Sequence, residues 1–423
     1  MKLINVKNTI FLLILIFVFS SIGLAEAKRP RPVNINILMP APFVESTLDL
    51  VSRFNDKEKG KINLKITKGP LETEAVSDLA ISSLLLGKST FDALLIDVTW
   101  LPKYAAAGWL EPFEDRIKPK DWDSLAAGAR LGNKYMGRIY RWPLVADMGL
   151  LYWRTDLMDE PPKTEKELLD ISLNLREQGK VPYGYVWQGR QYEGLSCVFL
   201  EVINGFGGEW LSSSMKVNLT SKESLEATRW LKELITSGAS PRAVMNFSET
   251  EALQAFKSGD AALMRNWPYA WEELQKKESY VKGKVGVTTM ISKENHEPSA
   301  TLGSWGFSIL KSSTKKDAVF KAIEYLTSEN AQKEMFITNG YTPTKSDIFK
   351  DEELLASSEL LPVLETALSI SASRPQTPLY AQISDVLQKQ LSSVLTEDKP
   401  IYEALKQAEV KTMKIISAAG NKL

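Results

Sequence analysis

Val33–Met39 reads Val-Asn-Ile-Asn-Ile-Leu-Met, and its alternation of apolar and polar residues predicts a strand with one buried face. Phe43, Leu50, Val51 and Phe54 then fall at helical spacing, with Ser46 or Thr47 as the candidate N-cap. Gly60 breaks this pattern before Lys61–Thr67 (KINLKIT), which alternates again. Val76, Leu79, Ala80 and Leu84 mark a second helix, and Asp92–Ile96 (DALLI) a third strand, apolar after Asp92. Strand–helix–strand–helix–strand at this spacing predicts parallel βαβ units with right-handed crossovers, and so an α/β fold. Further along, Gly259-Asp260 turns into the short strand Ala261–Met264, and Pro268 suits the first turn of a following helix. Ala318–Leu326 and Ile383–Leu395 read as helices.

The chain has 423 residues. A single core stops growing at roughly 250–300 residues, so two lobes are expected. No Pro/Gly/Ser-rich linker separates two halves, which predicts lobes that exchange the chain several times. At the N-terminus, Lys2 and Lys7 precede the apolar run Ile10–Phe19 and then Ala25-Glu26-Ala27. That is the pattern of a signal peptide over residues 1–27, cleaved after Ala27. Ile10–Leu24 falls short of the roughly 20 residues that span a bilayer. No cysteine stands at the end of the apolar run, so a lipid anchor is not expected and the periplasm is the expected compartment.

Composition narrows the chemistry. Lys+Arg and Asp+Glu are both 52, a balance that argues against a generally basic nucleic-acid or anionic-membrane binder. The single cysteine, Cys197, forms no internal disulfide or thiolate cage, and it reads as a buried helix residue. The single histidine, His296, rules out a multi-histidine metal site, and it reads as a solvated loop residue. No metal or cofactor is expected. Gly87-Lys88-Ser89 resembles a phosphate-binding loop, but Ser82 stands where that loop requires glycine, and a helix precedes it instead of a strand. Eleven Trp and thirteen Tyr favour stacking and hydrogen bonding instead.

Ligands of open α/β sheets bind beyond the carboxyl ends of the strands. Asp97 follows the strand DALLI, Glu45 lies in the connection after the first strand, and Asp147 separates two apolar stretches. As carboxylates they accept hydrogen bonds from hydroxyl or ammonium groups; each is equally readable as a solvated loop acid or a helix cap. Trp305 stands between glycines in Gly303-Ser304-Trp305-Gly306, and Trp267 and Tyr269 bracket Pro268. Rigid flat rings suit the apolar face of a sugar, although most tryptophans end in the core. Arg374, in the proline-stiffened loop Arg374–Tyr380, either donates bidentately to a ligand or pairs with a nearby acid. Trp100 and Tyr192 are looser candidates.

Several longer motifs carry a resemblance across the mature chain. They are Asp97-Val-Thr-Trp100 with Gly108-Trp109-Leu-Glu-Pro112, Trp142-Pro-Leu-Val-Ala-Asp147-Met-Gly149, and Gln188-Gly-Arg-Gln-Tyr192-Glu-Gly194. Met264-Arg-Asn-Trp267-Pro-Tyr269-Ala-Trp271, Leu302-Gly303-Ser-Trp305-Gly306 and Arg374-Pro-Gln-Thr-Pro-Leu-Tyr380 complete the set. In this order they resemble the extracellular solute-binding proteins of carbohydrate ABC importers, with the maltose-binding-protein fold, and especially the trehalose/maltose binders. The resemblance implies a two-lobed periplasmic-binding-protein fold, a ligand cleft between the lobes and three hinge crossings. Lobe one would take 28–142 plus 290–343, and lobe two 143–289 plus 344–423. It implies Glu45, Asp97 and Asp147 as hydroxyl acceptors, Trp267, Tyr269 and Trp305 as sugar platforms, Arg374 as a donor, and Gly303 as a point of close backbone approach. Val145 departs from the pattern, because a sugar-contacting tyrosine matches its position in trehalose/maltose binders. Glucosylglycerol or sucrose therefore stands beside trehalose and maltose as the expected ligand. The implied partners are an inner-membrane permease with its ATPase, and a monomer suits that docking. An exported glycoside hydrolase using a carboxylate pair, and a polyamine receptor, are the alternatives.

Overall fold

The computed structural model describes residues 31–70, 72–87 and 89–420. The expected signal peptide and its cleavage point lie outside them. In chain order the strands begin with β1 (Val33–Met39), β2 (Ile62–Lys68) and β3 (Ala93–Asp97). A small hairpin, β4 (Lys134–Tyr135) with β5 (Arg138–Ile139), leads to β6 (Trp142–Met148) and β7 (Leu150–Arg154). Then come β8 (Tyr183–Val186), β9 (Ala261–Asn266), β10 (Val285–Thr288), β11 (Ala300–Ile309) and β12 (Ser371–Ala372).

The larger sheet runs β12-β11-β3-β1-β2, with β6 pairing along β11. β1 is parallel to both β2 and β3, as the βαβ reading predicts. β11 runs antiparallel to β3 and to β6. The smaller sheet runs β10-β7-β9-β8. The chain therefore changes sheets at Gly149 and again between Thr288 and Ala300. The first change falls a strand's length beyond the 142/143 boundary implied by the resemblance, because β6 stays paired with β11 to Met148. One apolar cluster is continuous across the two sheets: Ala146, Met148 and Leu302 meet Tyr152, Met264 and Leu364. Gly87 and Ser89 sit between a helix and β3, the reverse of a phosphate-binding loop.

Two local expectations need correction. The first helix spans Ala41–Lys57 and starts directly after Pro40, with proline in its first turn. Proline is pre-set for that position. Ser46 and Thr47 are thus interior, and both hydroxyls donate back to the Phe43 carbonyl, at 3.2 and 2.6 Å. Pro268 in turn precedes the helix Ala270–Gln275, for which Tyr269 is the N-cap. The other helices stand close to their expected spans, at Thr73–Leu85, Lys316–Leu326 and Tyr380–Leu395.

Candidate functional site

Strand ends and helix starts from both sheets converge on a cavity of about 400 Å³. Asp97 closes β3, Asp147 lies near the end of β6, and Trp267 follows β9. Gly303 and Trp305 lie within β11, where the register with β6 shifts between Trp305 and Gly306. A bulge of this kind re-aims side chains. Seven expected ligand contacts line this cavity together: Asp97, Asp147, Trp267, Tyr269, Gly303, Trp305 and Arg374; Tyr192 joins them.

Glu45 and Trp100 lie outside the lining. Because the helix starts at Ala41, Phe43, Val44 and Thr47 take its buried face and Glu45 its outer one. There Glu45 pairs with Lys68 at 2.7 Å, with 67% of its side chain exposed. Trp100 instead meets Trp305 edge-on, centroids 5.3 Å apart at 81°, and buttresses that ring. Val145 is buried within β6, beside its register partner Trp305, and does not line the cavity. Cys197 is buried in the helix Glu193–Gly205, with its thiol at the cavity edge, and His296 is exposed in a loop, both as expected.

The aromatic lining is rigidly supported. Trp267 donates its indole N–H to Glu249 at 3.1 Å, and the Arg265 guanidinium sits 4.0 Å from its ring centroid. A Cβ on Gly303 would lie 2.7 Å from the Trp267 ring, so the missing side chain there makes room for the indole. Phe43 stacks on Tyr341 at 5.2 Å and tilts against Trp305 at 5.4 Å. These contacts leave little rotamer freedom to lose when a ligand stacks.

The charged lining is a network. Arg374 reaches both oxygens of Asp97, at 3.1 and 3.2 Å, and Glu193 at 2.8 Å. Burial opposes the Arg374 charge, but Asp97 and Glu193 more than offset it. The Arg374 Nε has no partner among the described residues. Glu193 also accepts from the Tyr380 hydroxyl and from Ser384 at 2.8 Å. Among the described residues no cation pairs with Asp147. Burial pushes its carboxyl up to about 7, and the Thr342 amide, 2.9 Å from Oδ1, opposes that only in part. At the mouth, desolvation and the nearby carboxylates of Glu193, Glu72 and Asp97 push Glu74 up. Six carboxylates thus line the cavity (Glu72, Glu74, Asp97, Asp147, Glu193, Glu249) against two guanidiniums, Arg190 and Arg374. Among the described residues no cluster of His, Cys, Asp and Glu is arranged to hold a metal.

Glu193, Glu249, Arg190, Phe43 and Tyr341 are lining residues that the sequence reading passed over. One signal was available: Ser248-Glu-Thr-Glu251 is a capping box, with the Ser248 N–H donating to Glu251 at 2.7 Å. It marks Ser248 as the N-cap and Glu249 as the first residue of the helix.

This layout matches known proteins. Residues 41–333 fit the family described as bacterial extracellular solute-binding protein. The chain belongs to that family. A probable ABC transporter-binding protein of Deinococcus radiodurans is 30% identical over 365 residues, covering 83% of this chain and 86% of the relative. The structure of maltose-bound MalE3 from T. maritima superposes with a TM-score of 0.85 at 30% identity, covering 90% of this chain and 100% of that one. A ribitol complex of a solute-binding protein from Agrobacterium radiobacter K84 reaches a TM-score of 0.81 at 24% identity, over 91% of this chain and 99% of that one, and speaks to the fold alone. The solute-binding protein thus has the two-lobed α/β fold of its relatives. It is a binding protein and not an enzyme, which sets the hydrolase alternative aside.

Proposed function

We propose that this solute-binding protein captures an α-glucoside or sugar osmolyte (glucosylglycerol, trehalose, sucrose or maltose) in the cavity and delivers it to an inner-membrane permease driven by its ATPase. The observation that carries this reading is the pairing of fixed aromatic faces, Trp267, Tyr269 and Trp305, with buried acceptors and donors around one cavity of about 400 Å³. Flat rings take the apolar face of a pyranose, while Asp97, Asp147 and Arg374 meet its rim hydroxyls. The size lies near the lower end of small-molecule sites, which favours one or two sugar rings over a long oligosaccharide. Arg374 brings an unpartnered buried Nε, which a ligand oxygen would satisfy. On this reading the two lobes close on the ligand by hinge bending. The protein acts as a monomer, exported by its N-terminal segment with cleavage after Ala27.

A second reading has one specific observation behind it: the excess of cavity carboxylates over guanidiniums would also suit a polyamine held by acids and aromatic faces. Isothermal titration with trehalose, maltose, sucrose, glucosylglycerol and spermidine separates the two. Saturable heat with a glucoside and none with spermidine supports the first reading; the reverse supports the second.

A further inference from the structure

Beneath Trp267 lies a buried ion pair that ligand recognition does not use. Arg265 and Glu201 expose 0% and 1% of their side chains. The Arg265 Nε donates to Glu201 at 3.0 Å, Nη2 donates to the other carboxylate oxygen, and Nη1 donates to Gln188 at 3.2 Å. The central carbon of the same guanidinium lies over the Trp267 ring, 4.0 Å from its centroid. On its far side, Glu201 Oε1 accepts the backbone N–H of Thr301 at 3.2 Å, at the start of β11. The Thr301 carbonyl accepts the Gly149 N–H at 3.3 Å. Gly149 is where the chain leaves the larger sheet for the smaller one, and a Cβ there would lie 1.9 Å from Glu201 Oε1. Helix Glu193–Gly205, β9 and both strands at the sheet change therefore meet on one ion pair.

We propose that Arg265 and Glu201 are positioning residues that join the inner face of the Trp267 platform to the point where the chain crosses between sheets, so that ligand stacking and lobe closure are coupled. The coupling rests on the reading of Trp267 as a sugar platform. A guanidinium serves both contacts at once, its N–H groups on Glu201 and its central carbon over the indole, which the point charge of lysine does not.

The test uses the mature chain, with trehalose and maltose as separate probes. Affinity is read by titration, and closure by the fall in radius of gyration in solution X-ray scattering at saturating sugar. Arg265→Lys keeps the charge and loses the face; binding about tenfold weaker, with less than half of the wild-type compaction, is expected. Should the lone lysine fail to fold, Arg265→Met combined with Glu201→Leu removes the pair as apolar groups, a replacement that buried ion pairs often tolerate, and the same loss of compaction is expected. A merely structural role lowers the melting temperature and leaves compaction complete, so full compaction in either folded variant overturns the proposal. Trp267→Ala reports separately on the platform: wild-type affinity in that variant defeats the sugar-site reading itself. If neither sugar changes the wild-type protein, sucrose and glucosylglycerol take their place as probes, and silence toward all four removes that reading and the coupling with it.

Discussion

Trp267 is held by its N–H on Glu249, by Arg265 on one face and by the backbone of Gly303 at its edge. A ring fixed in this way contributes about 0.5–1.5 kcal/mol beyond the area it buries. Trp267→Ala and Trp305→Ala should each weaken glucoside binding more than tenfold while the protein stays folded; titration and far-ultraviolet dichroism check both halves. Unchanged constants would put these rings outside the site. Asp147 makes a pH-dependent prediction. Its carboxyl titrates near 7 in the folded protein and near 3.8 when unfolded. Between those values the folded state holds a proton that the unfolded state releases, so this group's contribution to stability falls as pH rises through the window. A ligand hydroxyl that donates to Asp147 favours the ionised form, so affinity should rise from pH 5.5 to pH 8.5. Asp147→Asn should weaken binding at pH 8 and flatten that rise. An unaltered profile in the variant would reject its role.

Among the elements, the β6–β7 junction is the most sensitive to side-chain volume. Gly149→Ala would drive a Cβ into Glu201 and Arg265, at 1.9 and 2.6 Å. Overpacking a buried site costs about 1–3 kcal/mol, occasionally more. Chemical denaturation should show a loss of at least that size, and a wild-type midpoint would contradict the packing described. The same elements explain what the sequence made legible. β1 and β2 bury one face, so alternation revealed them, and β3 was a short apolar run up to Asp97. β6 is buried at every position, so its sequence carries no period, and it was read only as an apolar stretch. Its pairing with β11 joins residues more than 150 positions apart, which local pattern cannot show. The start of the first helix was misjudged because Ser46 and Thr47 satisfy their hydroxyls inside the helix, and Glu45 was carried to the surface with it.

At the scale of the molecule, the site is assembled from segments that the chain visits at wide intervals, from Phe43 to Arg374. Residue types announced the aromatic lining, but the pairing of Arg374 with both Asp97 and Glu193 depends on how the lobes meet, and no spacing encodes that. A ligand bound only by the folded form stabilises it by about 2.7 kcal/mol at one hundred times its dissociation constant. The true glucoside should therefore raise the melting temperature by roughly 3–6 °C, and a sugar that does not bind should leave it unchanged. Residues 28–423 are proposed to form a receptor for an α-glucoside, and micromolar affinity, about −8 kcal/mol, is in keeping with the contacts available. A tryptophan-fluorescence titration of that chain against trehalose, sucrose, maltose, glucosylglycerol and spermidine tests it most directly, since Trp267 and Trp305 line the cavity. A saturable change with one or two of the glucosides and none with spermidine is the predicted result. No response to any of the four glucosides, with saturation by spermidine, would contradict it.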